Sequence, residues 1–177
     1  VNAISAGLAL KQWERLEEMN TWRRRNAQAL AERLAGVPGI RTLDLPKDRD
    51  PAWHMGVYTF VPEEAGGATR AQYLKALQAE GVPIGGSYVG TPIHLRPTFQ
   101  EKRTHFGHGY PWAAHPEGER IVYRKGDCPV AERRCAEQDL VMLGGSCWKD
   151  VTPLLDQIAA AFHKVASQLD KVKELQA

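Results

Sequence analysis

Residues 69–89, TRAQYLKALQAEGVPIGGSYV, contain a helix with both of its boundaries and the start of a strand. Thr69 followed by Gln72 has the spacing of a capping box, in which each side chain satisfies a free backbone N–H at the helix start. Tyr73, Leu74 and Leu77 supply the apolar stripe, Gly81 ends the helix and Pro83 prevents its resumption. A short strand is predicted through Ile84 to Val89, where Gly85 and Gly86 permit backbone shapes closed to other residues.

Upstream, Trp53 to Val61 alternates, with Met55, Val57, Thr59 and Val61 facing one way and His54, Gly56, Tyr58 and Phe60 the other. Both faces are largely apolar, which predicts a strand covered on two sides, with a gap at Gly56 where a backbone or ligand can approach. Ile40 to Leu45 alternates more weakly, and Glu63 to Gly67 reads as a turn. Before these, Ile4, Leu8, Trp13, Leu16, Met19, Ala27, Leu30 and Leu34 recur at a helical period, predicting one long helix over residues 1–35. Gly36 and Pro38-Gly39 stop it, and the acids of Glu14 to Glu18 precede Arg23 to Arg25 at spacings that pair along the exposed side.

Downstream, Gly90 to Asp127 is rich in Pro, Gly, His and aromatics without a period, which predicts a long functional or mobile loop. Pro129 suits the first turn of a helix capped by Asp127 or Cys128 and running through Ala131, Cys135 and Leu140. An apolar segment, Leu140 to Leu143, is closed by Gly144-Gly145. Then Val151, Leu154, Leu155, Ile158, Phe162, Val165, Leu169 and Val172 repeat at three and four, with Asp150 or Thr152 as cap and Pro153 in the first turn. The predicted fold class is α+β: a small mixed or antiparallel sheet covered by helices, with long helices at both ends. No internal repeat occurs, and residues 1–177 read as one domain.

The 177 residues are 43% apolar and 25% charged, which excludes disorder and collagen-like order. Against 21 acids, 23 Lys and Arg leave a net charge of +2, unclustered, so neither nucleic acid nor an acidic membrane is an expected partner. No window approaches the roughly 20 apolar residues of a bilayer span. The start, Val1-Asn2-Ala3-Ile4, carries no Met and no basic leader, which predicts a soluble chain lacking an upstream portion. Cys128, Cys135 and Cys147 cannot all pair, pointing to a reducing, cytoplasmic location, and with no Cys-x-x-Cys motif they read as buried structural thiols without a redox role.

Phosphate-binding glycine loops of the dinucleotide or nucleoside-triphosphate type are absent. Ser146, after Gly144-Gly145, lacks the second glycine and partners of a nucleophile turn. His105, His108, His115 and Cys128 are of zinc-binding types, but their spacing is poor and no metal is expected. His94 lies in Thr91-Pro92-Ile93-His94-Leu95-Arg96-Pro97, whose prolines restrict its backbone. Such a His-x-Arg either faces a hydroxylated or phosphorylated ligand beside a fixed cation, or forms a surface turn with Arg96 in solvent.

In order, Ala6-Gly7-Leu8-Ala9-Leu10-Lys11-Gln12-Trp13-Glu14-Arg15-Leu16-Glu17-Glu18, Trp53-His54, Gly81-Val82-Pro83-Ile84-Gly85-Gly86-Ser87-Tyr88, Pro92-Ile93-His94-Leu95-Arg96-Pro97 and Cys128-Pro129-Val130-Ala131-Glu132 span nearly the whole chain. Together they resemble the C-terminal part of the DegT/DnrJ/StrS-type sugar aminotransferases. Departures are Trp13, where that family usually has an aliphatic residue, and Ser87, where a His often precedes the tyrosine.

The resemblance implies the small domain of a fold-type I pyridoxal 5'-phosphate enzyme, with residues 1–35 leading in from a missing large domain that holds the cofactor as a lysine imine. It implies an amino group moved from glutamate or glutamine to a keto-sugar or keto-cyclitol, in a cytoplasmic homodimer serving amino-sugar or aminocyclitol biosynthesis, for antibiotics or surface polysaccharides. The length of the loop from Thr98 to Asp127 resembles the relatives acting on keto-cyclitols. Lys11, Lys75 and Lys164 lie in predicted helices, outside that family's lysine context, so no catalytic or cofactor-binding residue is expected in the chain. Tyr88 and His94, then Arg96, are the expected substrate contacts, with His54 orienting or structural. The alternative is a non-catalytic sugar-binding or regulatory domain descended from the same family.

Overall fold

The computed structural model describes residues 2–104, 107, 109–142 and 149–176. In chain order the elements are α1 (Ala3–Trp13), α2 (Leu16–Leu34), β1 (Ile40–Thr42), β2 (Gly56–Phe60), α3 (Arg70–Ala79), β3 (Ile84–Gly85), α4 (Pro97–Gln100), α5 (Pro129–Arg133), β4 (Asp139–Met142), α6 (Thr152–Ala166) and α7 (Leu169–Lys173). The chain divides into two compact units, residues 1–85 with 140–177, and residues 86–139.

In the first unit the sheet has strand order β1-β2-β4-β3. β1 and β2 are antiparallel, with Ile40 opposite Phe60 and Thr42 opposite Tyr58. β3 and β4 are antiparallel, with Ile84 opposite Met142. Along β2, Gly56, Tyr58 and Phe60 are buried and Val57 and Thr59 half-buried, the alternation expected of a pleated strand. The strand begins at Gly56, not Trp53: Trp53 has φ +49°, outside the extended region, and His54 lies in the bend before β2 instead of within it. The strand expected over Ile84–Val89 likewise stops at Gly85.

The local signals of α3 are all realised. Thr69 Oγ1 accepts from Gln72 N–H and Gln72 Oε1 accepts from Thr69 N–H. Gly81, with φ +86°, lets its N–H reach the Gln78 carbonyl and that of Val82 reach Leu77, a Schellman stop. In α6, Pro153 sits in the first turn and Asp150 Oδ1 accepts from Thr152 N–H and Oγ1–H at 2.9 and 2.8 Å. Those hydrogen bonds hold the Asp150 carboxyl below the usual aspartate range. Leu155, Ile158, Ala159, Phe162 and Val165 form the buried stripe of α6, which packs on α2 and α3.

The single helix expected over residues 1–35 is two helices, broken at Glu14-Arg15. No proline or glycine marks the break, and packing supplies the cause. From Asn26 onward α2 is fixed against α6 and β1, with Leu30 and Leu34 buried, whereas no residue of α1 is buried. The helix expected to reach Leu140 likewise ends earlier, because Leu140 enters β4 at the sheet centre with none of its surface exposed.

The core joins Leu30, Leu34, Phe60, Tyr73, Leu77, Leu140, Met142, Leu155 and Phe162. Tyr73 stacks at a tilt on Phe60, ring centroids 5.1 Å apart, and burial pushes its hydroxyl well above the usual tyrosine range. That hydroxyl is sealed from solvent and has no hydrogen-bond partner among the described residues. Tyr73→Phe removes a desolvated donor while keeping the ring, so it is expected to raise stability by up to about 1 kcal/mol. Urea denaturation checks this as a higher midpoint at unchanged slope.

The second unit replaces the expected irregular loop with short turns around an aromatic triangle. Phe99, Trp112 and Tyr123 meet edge to face at centroid distances of 5.8, 5.4 and 6.4 Å, and Trp112 Nε1–H donates to Tyr123 Oη at 2.8 Å. Lys102 Nζ donates to the Gly118 and Glu119 carbonyls, and Gln100 Nε2 to those of His94 and Tyr123.

Candidate substrate-contact site

The Pro92 to Pro97 segment forms a 3-10 turn, Ile93–Leu95, followed by α4. Gly90, at φ +70°, allows the chain to reverse ahead of it. Arg96 closes this reversal from inside: Nη2 donates to the Val89 carbonyl at 3.0 Å and Nε to the Thr91 carbonyl at 3.4 Å. Its charge is exposed, yet these donors brace the turn. Tyr88, immediately before the reversal, is 65% exposed.

His94 points to α5. Its Nε2 lies 2.9 Å from Glu132 Oε1, and the two side chains are 11% and 13% exposed. Glu132 also accepts from Gly126 N–H at 2.8 and 3.0 Å, one distance per carboxylate oxygen, and from Cys128 N–H at 3.3 Å. One carboxylate thus ties the 93–95 turn, the 124–128 turn and the start of α5. Of the two caps considered for α5, Cys128 occupies the position but contributes no side-chain bond, while Asp127 Oδ2 accepts from Arg124 N–H; as a cap residue at the start of the helix Cys128 is exposed, and Cys135 half-buried, instead of the buried thiols expected.

Burial pushes the Glu132 carboxyl up, but the donors Gly126 N–H, His94 and Cys128 N–H outweigh it and hold the group below the ordinary glutamate range. A depressed folded value stabilises the folded state above the unfolded value, about pH 4–5, and that contribution disappears as pH falls through the folded value. The turn at 124–128 is therefore expected to lose amide-exchange protection on acidification, with the step flattened in Glu132→Gln. Hydrogen exchange across that pH range measures it.

Beside Glu132 the second unit holds a cavity of 450 Å³, walled by Pro92 and Leu95 on one side and by Lys125, Arg133 and Cys135 on the other. This volume suits a small ring. In the first unit a separate cavity of 380 Å³ lies between α2 and the β1–β2 pair, lined by Arg24, Trp53, Gly56 and Tyr58. Burial there pushes the Tyr58 hydroxyl up to about 12. His54 is exposed and lies in this first unit.

Of the expected contacts, Tyr88, His94 and Arg96 all lie in the second unit. Tyr88 is left available, while His94 and Arg96 are engaged by Glu132 and by backbone carbonyls. Sequence reading assigned no role to Glu132; its available signal was an acid in the first turn of a helix opened by Cys128-Pro129. Ser146 and Cys147, like His105 and His108, lie outside the described residues. His115 Nδ1 accepts from Glu117 N–H.

Five of the described lysines are committed to other partners, unlike the desolvated, uncommitted amine that an imine anchor requires. Lys11 pairs with Glu14, Lys164 with Glu80 and Lys173 with Asp170, while Lys75 and Lys102 donate to backbone carbonyls. Among the described residues no helix is long and apolar enough to cross a membrane.

The sequence profile of the DegT/DnrJ/EryC1/StrS aminotransferase family matches residues 1–131. A Streptoalloteichus tenebrarius protein bearing the name of an L-glutamine:3-amino-2,3-dideoxy-scyllo-inosose aminotransferase is 27% identical over 172 residues, 96% of this chain and 40% of that protein. The Bacillus subtilis spore coat polysaccharide biosynthesis protein SpsC is 30% identical over 127 residues, 72% of this chain and 31% of that protein. Thus the chain spans about two fifths or less of the length of these curated relatives. Among solved structures, a DegT/DnrJ/EryC1/StrS aminotransferase from Brucella abortus superposes with TM-score 0.63 at 19% identity, covering 90% of this chain and 34% of that one. The S. venezuelae DesV ketimine complex does so with TM-score 0.59 at 22% identity, covering 84% and 32%. At these identities the structures establish the shared fold, and the profile match establishes the kinship: the chain belongs to the DegT/DnrJ/EryC1/StrS aminotransferase family.

Proposed function

We propose that residues 1–177 form the C-terminal, substrate-shaping part of a pyridoxal-phosphate aminotransferase that moves an amino group from glutamate or glutamine to a keto-sugar or keto-cyclitol. The enzyme works as a cytoplasmic homodimer in amino-sugar or aminocyclitol biosynthesis. The observation that carries this reading is the family match over residues 1–131, which includes the braced turn bearing Tyr88. The names of the relatives, one for a glutamine-dependent inosose aminotransferase and one for polysaccharide biosynthesis, support a hydroxylated ring as substrate.

Pyridoxal phosphate supplies the electron sink for the amine exchange. Its lysine anchor belongs to the portion outside this chain. What this chain contributes is shape. Arg96 and the two prolines hold the 88–97 turn so that the exposed Tyr88 offers ring face and hydroxyl to a polyol, with His94 and Arg96 as further contacts from the same turn; His54 belongs to the first unit, where its role is orienting or structural.

The test extends the chain with its upstream coding sequence and adds pyridoxal phosphate. A borohydride-reducible imine absorbance is expected in the extended protein and none in residues 1–177 alone. An extended protein without that absorbance overturns the reading.

A further inference from the structure

We propose that Glu132 is a positioning residue for His94, fixing the ring hydrogen on Nε2 so that Nδ1 is left to accept a hydrogen bond from a substrate hydroxyl. The identity of that hydroxyl rests on the aminotransferase reading above; the assignment of the hydrogen rests on geometry alone.

A carboxylate only accepts hydrogen bonds, so the imidazole nitrogen 2.9 Å from Glu132 Oε1 must be the donor. The carboxyl is held in its ionised, acceptor form by the other groups around it. Gly126 N–H reaches both oxygens and Cys128 N–H reaches Oε1, so both oxygens are already facing donors. His94 Nδ1 has no partner among the described residues, and it is not among the side-chain atoms sealed from solvent without one.

The ring also has a fixed mount. Its carbonyl is held by Gln100 Nε2 at 2.7 Å, the Leu95 and Arg96 N–H groups close the 3-10 turn around it, and Pro92 and Pro97 flank it. A neutral imidazole so oriented offers one free nitrogen, an acceptor. Its natural match is an O–H donor, which a polyol ring carries and an unprotonated phosphate does not.

The direct probe is the ring nitrogen itself. Two-bond proton–nitrogen correlation spectra of the 15N-labelled protein, recorded with rising pH until the neutral-ring pattern is reached, distinguish the tautomers; His94→Gln identifies the His94 peaks. The hydrogen is expected on Nε2 in the unmodified protein. In Glu132→Gln the amide oxygen still accepts from Gly126 while the amide NH₂ donates toward His94 Nε2, so the hydrogen is expected to move to Nδ1. A hydrogen on Nδ1 in the unmodified protein overturns the assignment, even if the variant fails to fold.

In the cofactor-loaded extended enzyme, Glu132→Gln is expected to raise KM for the keto ring about tenfold and to leave KM for the amino donor within about twofold. Equal movement of both constants, or of neither, overturns the positioning role while the aminotransferase reading stands. An extended enzyme that transfers no amino group ends that reading, and the nitrogen spectrum still decides the role of Glu132.

Discussion

Phe162→Ala is expected to destabilise the first unit by about 3–5 kcal/mol, the usual cost of emptying a fully buried aromatic site. Phe162 lies on the buried stripe of α6 with none of its surface exposed and faces Tyr58 across 6.4 Å between ring centroids. The cavity cannot close cheaply, because its neighbours Tyr58, Ile158 and Val165 are anchored in β2 or in α6 itself. Set against a typical domain stability of about 5–15 kcal/mol, the loss leaves the unit largely unfolded at modest urea. Leu154→Ala, one residue before the stripe and 45% exposed, is the control and should cost well under half as much. Urea denaturation of both variants separates burial from helix propensity; similar losses in the two contradict this placement of the core.

Gly118→Ala acts on the second unit through backbone sterics. A methyl on Gly118 would overlap the carbonyl and Cα of Trp112, main-chain atoms that cannot rotate out of the way. The turns at 112–114 and 118–120 must separate, which pulls Trp112 from Phe99 and breaks its hydrogen bond to Tyr123. The expected loss exceeds the roughly 1–3 kcal/mol of ordinary overpacking, with Trp112, 7% exposed, becoming solvent-accessible. Limited proteolysis between residues 98 and 127, together with tryptophan emission, reads this directly. Gly107→Ala is the comparison: its methyl meets nothing within 4 Å and strains only a φ of +77°, so about 1–2 kcal/mol is expected. If the two variants resist protease equally, the aromatic triangle does not organise the unit.

Where structure follows from neighbours in sequence, the chain was readable. Thr69 and Gln72 are three apart, Gly81 follows the last apolar turn of α3, and Pro153 with Leu155, Ile158, Phe162 and Val165 marks α6; each signal and its effect lie within a few residues. The family resemblance rests on motifs of the same kind, and the profile match over residues 1–131 agrees with it. The break at Glu14-Arg15 was hidden because its cause is the difference between a packed α2 and an unburied α1. The Phe99–Trp112–Tyr123 triangle obeys no period, so its residues looked like loop aromatics. His94 and Glu132 are 38 positions apart, and nothing local to either announces the other. The sequence marks Arg96 as a cation for a ligand or for solvent but gives no sign that, while exposed, it also donates to the Val89 and Thr91 carbonyls.

The transfer itself is read by mass spectrometry of the ring product formed from a keto-cyclitol by the extended protein with pyridoxal phosphate and glutamine labelled with 15N at either the α-amino or the amide nitrogen. An amino-cyclitol carrying the donor's nitrogen is expected when α-15N-glutamine is supplied, and none of the label when only the amide is labelled. An extended protein that forms the cofactor imine yet places no α-nitrogen on any keto-cyclitol or keto-sugar ring contradicts the proposed transfer.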